Sequence, residues 1–129
     1  MRLLLDTHAL LWWLVDDGRL TPVARQAIAS PDSRVFVSSA SGWEIATKHR
    51  LGKLALADKL LPDFGGILRR ARFDVLPIAL HHALRAGQFD TSHRDPFDRM
   101  LAAQSLSEKL PLVSADPVFP ALGVATLWS

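Results

Sequence analysis

The sequence predicts an α/β fold of three layers, α/β/α, with helices on both faces of a central parallel sheet of four to five strands. Three observations carry this expectation. Short apolar runs of strand length alternate with longer stretches of helical character along the chain. Hydrophobic residues make up 49% and charged residues 22% of the 129, which supplies one core and excludes a disordered chain. No internal repeat, low-complexity tract or linker divides the sequence, so a single domain over residues 1–129 is expected.

The first strand is expected at Arg2–Leu5. An apolar helix follows at His8–Val15, and Asp16-Asp17-Gly18 stops it. Thr21-Pro22 offers an N-cap and a helix-initiating proline for Val23–Ala29. Ser30-Pro31-Asp32-Ser33 turns the chain into a short strand at Arg34–Val37. A helix from Gly42 to Leu51 ends at Gly52, the usual C-terminal glycine position. Leu60–Ala71 reads as a helix interrupted by Pro62 and Gly65-Gly66. Phe73–Leu76 is the third strand, Ala79–Ala86 a helix and Gln88–Arg94 a polar loop. Pro96–Lys109 is a strong helix, Leu112–Ser114 the fourth strand and Val124–Leu127 a fifth. Right-handed crossovers between parallel strands put all strand C-termini on one edge, where such folds carry their sites.

There is no cysteine, which rules out disulfides, thiolate metal sites and thiol nucleophiles. A reducing, cytoplasmic setting is expected. The apolar run Leu3–Leu5 is too short for a signal peptide or a membrane span. The net charge of +2 hides an asymmetry: setting aside Asp6, Glu44, Asp95, Asp98 and Asp116 leaves eight acids against 15 bases. Eleven of those bases are arginine, the side chain best shaped for phosphate. A basic surface around an acidic pocket suits a protein that attracts a polyanion and holds a cation inside.

Each acid has a structural explanation as well as a chemical one. Asp6 ends a strand and precedes a helix, so it is a candidate metal ligand or an N-cap. Glu44 follows Ser41 in a capping-box pattern and has Lys48 one helical turn on. Asp95 is a natural N-cap ahead of Pro96, and Asp98 falls in the first turn, where a negative charge suits the helix dipole. Asp116 is a turn residue before Pro117. Jointly, acids from distant parts of the chain all fall at strand C-termini or in the next helical turn. Gathering them without a cation raises their pKa values through repulsion, and a hard divalent ion removes that cost. All-oxygen ligation points to Mg2+ or Mn2+ and away from zinc.

Other residue types say less. His81 and His82 are adjacent, so a helix is expected to turn them apart, and no His-x3-His spacing occurs. His8 and His93 are candidates for supporting or substrate contacts. The tryptophans Trp12, Trp13, Trp43 and Trp128 lie in apolar segments and are expected in the core or, for one of Trp12 and Trp13, on a dimer surface. There is no nucleophile-elbow serine, glycine-rich phosphate loop or dinucleotide fingerprint.

Four stretches then stand out together: Leu4-Leu5-Asp6-Thr7-His8-Ala9-Leu10-Leu11-Trp12, Ser41-Gly42-Trp43-Glu44-Ile45, His93-Arg94-Asp95-Pro96-Phe97-Asp98-Arg99-Met100-Leu101-Ala102-Ala103-Gln104, and Leu112-Val113-Ser114-Ala115-Asp116. In order and spacing they resemble the PIN domain, most closely its VapC-type toxins of type II toxin–antitoxin systems. The resemblance implies a three-layer α/β fold and endoribonuclease activity requiring Mg2+ or Mn2+. It also implies repression by a cognate antitoxin, whose C-terminal segment wraps the toxin, and a homodimer. By the same resemblance Asp6, Glu44 and Asp98 correspond to the family's acidic triad and Asp116 to its more variable fourth acid. Asp95 is either a further ligand or only a cap. Ser114-Ala115-Asp116 departs from the commoner Thr-x-Asp.

The chemistry expected is metal-assisted hydrolysis of an RNA phosphodiester. One ion would be held by Asp6 and Asp98, while Glu44 and Asp116 orient water or hold a second ion. Arg94 and Arg99 are expected to steady the backbone. The alternative is a non-catalytic RNA- or partner-binding module on the same fold. Aspartyl-phosphate chemistry would need an acid two residues after Asp6, where His8 stands, and a receiver-type site would need paired acids near the first strand.

Overall fold

Leu3, Leu4 and Leu5 are apolar in succession, which suits a strand buried on both faces rather than one with a wet side. In the computed structural model, which describes residues 1–129, all three are fully buried. They belong to β1 (Arg2–Leu5), the middle strand of a five-stranded sheet. The others are β2 (Arg34–Ser38), β3 (Asp74–Leu76), β4 (Leu112–Val113) and β5 (Thr126–Leu127). The order is β3-β2-β1-β4-β5 and every pairing is parallel. The expected fold class is therefore observed, with five strands.

The period-two alternation of strand side chains separates two helical layers. Leu3, Leu5, Val35, Val37 and Val113 face α1 (Thr7–Leu14), α2 (Pro22–Ala29), α3 (Ser39–Arg50), α4 (Ala57–Leu60) and α5 (Phe64–Arg70). Leu4, Phe36 and Leu112 face the other way, onto Leu101 and Ala102 of α7 (Pro96–Glu108) and Phe119 of α8 (Val118–Ala121). The helix α6 (Leu80–Gln88) packs against α7. No helix is long and apolar enough to cross a membrane.

Several boundaries move, each for a local reason. The first helix starts at Thr7 rather than His8 because the Asp6 carboxylate caps it, accepting from the Ala9 N–H at 2.7 Å. The third helix begins at Ser39, three residues before the expected Gly42, because Ser38 is its cap. Ser41 and Glu44 therefore form no capping box. The interrupted segment breaks at Pro62 and Asp63, in a 3-10 turn over Leu61–Asp63, while Gly65 and Gly66 lie inside α5. Thr21 and Asp95 cap α2 and α7 as read from sequence, and Gly52 adopts φ +72 just past α3. The short α4 and α8 carry no periodic signal and were not anticipated.

Candidate active site

The chain fills strands on the β3 side of β1 first and then returns to its other side with β4. The order thus reverses between β1 and β4, the crevice where open α/β sheets bind ligands. Asp6 leaves the end of β1 and Asp116 follows the end of β4. The second turn of α3 and the first turn of α7 bring Glu44 and Asp98 to the same place, with Asp95 capping α7. All five carboxylates line one cavity of about 170 Å3, together with Thr7, His8 and Lys48.

The buried Asp6 does two things at once: it caps α1, and it faces the cavity. Burial pushes its carboxyl above the ordinary range, the Ser114 hydroxyl, the Ala9 N–H and His8 draw it part-way back, and the charge of Asp116 raises it further. The Ser114 hydroxyl also accepts from the Asp116 N–H at 3.1 Å, so one serine links the two acids. Asp98 is raised as well, first by burial and then by the charges of Asp95 and Glu44, against a hydrogen bond from His93. His93 Nε2 lies 2.9 Å from Asp98 Oδ2.

Glu44 is buried and held from both sides. Thr7 Oγ1 donates to its Oε1 at 2.6 Å and itself lies 3.0 Å from the Ser41 hydroxyl. Lys48 Nζ pairs with its Oε2. The i, i+4 pair read from sequence is present, inside the cavity rather than on a solvated face. Asp95 accepts from the Phe97 and Asp98 N–H groups at 2.8 and 3.1 Å while also lining the cavity, so capping and proximity to the site coexist.

Arg99 requires a correction. Its guanidinium donates to the carbonyls of Phe89, His93, Ala86 and Gly87 at 2.7, 2.8, 2.9 and 3.3 Å, so its donors are taken by the end of α6 and the loop after it rather than turned to a phosphate. Arg99 makes no ion pair with Asp95, four positions before it, for the same reason. Arg94 is exposed. Trp43 is 53% exposed and packs edge-on against Phe97, so it is not a core residue; Trp12 and Trp13 are half-buried.

Sequence reasoning missed Thr7 and the inward position of Lys48. Thr7 directly after a strand-end aspartate, and a lysine one turn after Glu44, were the available signals.

The donor set fits a hard divalent ion: carboxylate oxygens and a hydroxyl, with two of the acids held above their ordinary range first by burial and then by neighbouring carboxylates. No three of these acids bring ligand atoms within 4.8 Å of one another, which leaves room for waters and a phosphate between them. The trio that does meet this distance is His81, His82 and Glu108, between α6 and α7. Contrary to expectation the adjacent histidines converge, with ring centroids 4.2 Å apart. The Ala79 N–H donates to His82 Nδ1, which leaves the proton on Nε2 and aims it at Glu108 Oε2, 3.4 Å away. Hydrogen bonding from His82, then His81, holds the Glu108 carboxyl below its usual range. These contacts clasp α6 to α7.

Among solved structures the fold is similar to VapBC2 from Rickettsia felis bound to a DNA fragment from its promoter, at 14% identity, full coverage of both chains and a TM-score of 0.70. It is similar to Mycobacterium tuberculosis VapC20, a sarcin-ricin loop cleaving toxin, at 16% identity, 98% and 99% coverage and a TM-score of 0.67. VapBC-1 from nontypeable Haemophilus influenzae follows at 16% identity, 98% and 97% coverage and a TM-score of 0.63. No curated protein matches the sequence. The PIN domain family model matches residues 3–125, nearly the whole sequence, and the chain belongs to the PIN domain family.

Proposed function

We propose that this chain is a divalent-metal-dependent endoribonuclease and the toxin of a toxin–antitoxin pair. The observation that carries the reading is the convergence of Asp6, Glu44, Asp95, Asp98 and Asp116 on one cavity at the reversal point of the sheet. Asp6 and Asp98, with Asp116 beside Asp6, are the residues that would hold Mg2+ or Mn2+. When bound, the ion supplies Lewis-acid polarisation of a phosphoryl oxygen and acidifies a water. Glu44, fixed by Thr7 and Lys48, orients the attacking water. In-line attack breaks the P–O3′ bond and leaves a 5′-phosphate and a 3′-hydroxyl. Exposed Arg94 is the arginine available to the RNA backbone near the site.

A cognate antitoxin is proposed because several of the similar folds are toxin–antitoxin complexes. A homodimer is proposed because Val75, Ile78, Leu80 and Leu84 stand exposed within one stretch of chain.

The test is cleavage of RNA by the purified, antitoxin-free protein, with light scattering reporting its mass. Cleavage should need Mg2+ or Mn2+ and stop on EDTA, with 5′-phosphate ends. Undiminished cleavage in EDTA would sink the metal-dependent mechanism, and no cleavage with either ion would favour a binding module.

A further inference from the structure

Lys48 is the one lysine or arginine among the residues lining the acidic cavity. It arrives there because α3 carries Glu44 and Lys48 four residues apart, on one face. Its ammonium contacts Glu44 Oε2, while Glu44 Oε1 is taken by the Thr7 hydroxyl at 2.6 Å. Glu44 therefore has a donor on each oxygen, and one of those donors is a full positive charge.

We propose that the Lys48 ammonium occupies the position beside Glu44 where a second divalent ion would sit, so that this cavity takes one divalent ion and not two. The inference rests on the reading of the cavity as a metal site. Paired ions in two-metal hydrolases lie roughly 3.5–4 Å apart and share carboxylates between them. A second ion at Glu44 would have to displace the ammonium from Oε2 and leave it stranded against a doubly charged neighbour. Asp6 and Asp116 line the same cavity with no lysine or arginine paired to either, and Ser114 accepts from the Asp116 N–H between them. Lys48 is 37% exposed, so its head can be supplied from solvent without burying an unpaired charge. An ammonium offers charge and hydrogen bonds but no coordination sites, so Lys48 acts as a positioning residue for Glu44 and cannot acidify a water as an ion would.

The experiment is calorimetric titration of Mn2+ into the full chain, with no nucleic acid present, for wild type, Lys48→Met and Lys48→Arg. Thermal melts in EDTA establish that each variant is folded. One Mn2+ per chain is expected for wild type and for Lys48→Arg, which keeps a cation at Glu44. Two are expected for Lys48→Met, which keeps the stem and loses the charge. Two in the wild type overturn the proposal whatever the variants do, and so does one in a folded Lys48→Met; either result leaves the metal-dependent reading standing. No binding by the wild type overturns that reading and this proposal with it.

Discussion

At Asp98, burial and the charges of Asp95 and Glu44 oppose ionisation, and His93 only partly offsets them. A carboxyl raised above its unfolded value lets the folded chain hold a proton that the unfolded chain has released. Stability of the metal-free protein must then fall as pH rises from the ordinary aspartate value of 3.8 through the raised one. Asp98→Asn keeps the size and removes the titration. In EDTA at neutral pH the variant should melt at or above the wild-type temperature, and the wild type should gain more stability than the variant on acidification. Mn2+ affinity should drop beyond the ~10–100-fold typical of losing an outer-sphere partner, and cleavage should collapse. Asp6 is raised from the same causes and should behave alike, except that Asn must also cap α1. An Asp98→Asn protein that binds Mn2+ as the wild type does would move the ion elsewhere in the cavity.

At the scale of elements, the start of α7 and the loop before it behave as one unit because Arg99 gathers four carbonyls from the end of α6 and the loop. That loop carries His93, the partner of Asp98. Lysine has three donors on a flexible stem and cannot reproduce a planar fork over four acceptors. Arg99→Lys should therefore lose about 1–3 kcal/mol in urea melts and lower kcat, with KM for RNA little changed. A phosphate-binding arginine would give the reverse pattern, unchanged stability and a raised KM. The same residue marks what sequence alone can resolve. Caps that depend on their own neighbours, such as Thr21-Pro22, Asp95-Pro96 and Gly52, were legible, and so were acids at strand ends. Arg99 was not, because its acceptors are brought to it by the packing of α6 on α7. The capping-box pattern points to Ser41, whereas the residue that caps α3 is Ser38. The choice fell to Ser38 because β2 ends there, leaving Ser41 to meet Thr7 across 34 residues of sequence. Glu44 likewise lost the capping-box role, kept its pair with Lys48, and gained a contact with Thr7 that no window along the chain contains.

Over the whole molecule, the acids that remain outside the cavity are largely spent on local pairs. Arg19, Arg25, Arg34 and Arg70 pair with Asp17, Asp16, Asp74 and Asp63, all of them on the surface and individually weak. Arg2, Arg50, Arg69, Arg72 and Arg94 enter no ion pair, so they set the sign of the field that an approaching polyanion meets. The cavity is acidic and would repel RNA, so attraction must come from this outer charge and commitment from the ion within. The two contributions separate in salt. With Mn2+ held saturating, kcat/KM should fall steeply between about 50 and 200 mM monovalent salt, with a log–log slope near −0.7 for each phosphate neutralised on a single strand. The rate at saturating RNA should stay nearly constant, because the cavity is shielded from bulk salt. Arg94→Glu, closest in sequence to Asp95 and Asp98, should make the slope shallower by about one contact while leaving that saturated rate in place. A kcat/KM that is flat in salt would mean that the basic surface merely solubilises the fold and that RNA is recruited by some other feature.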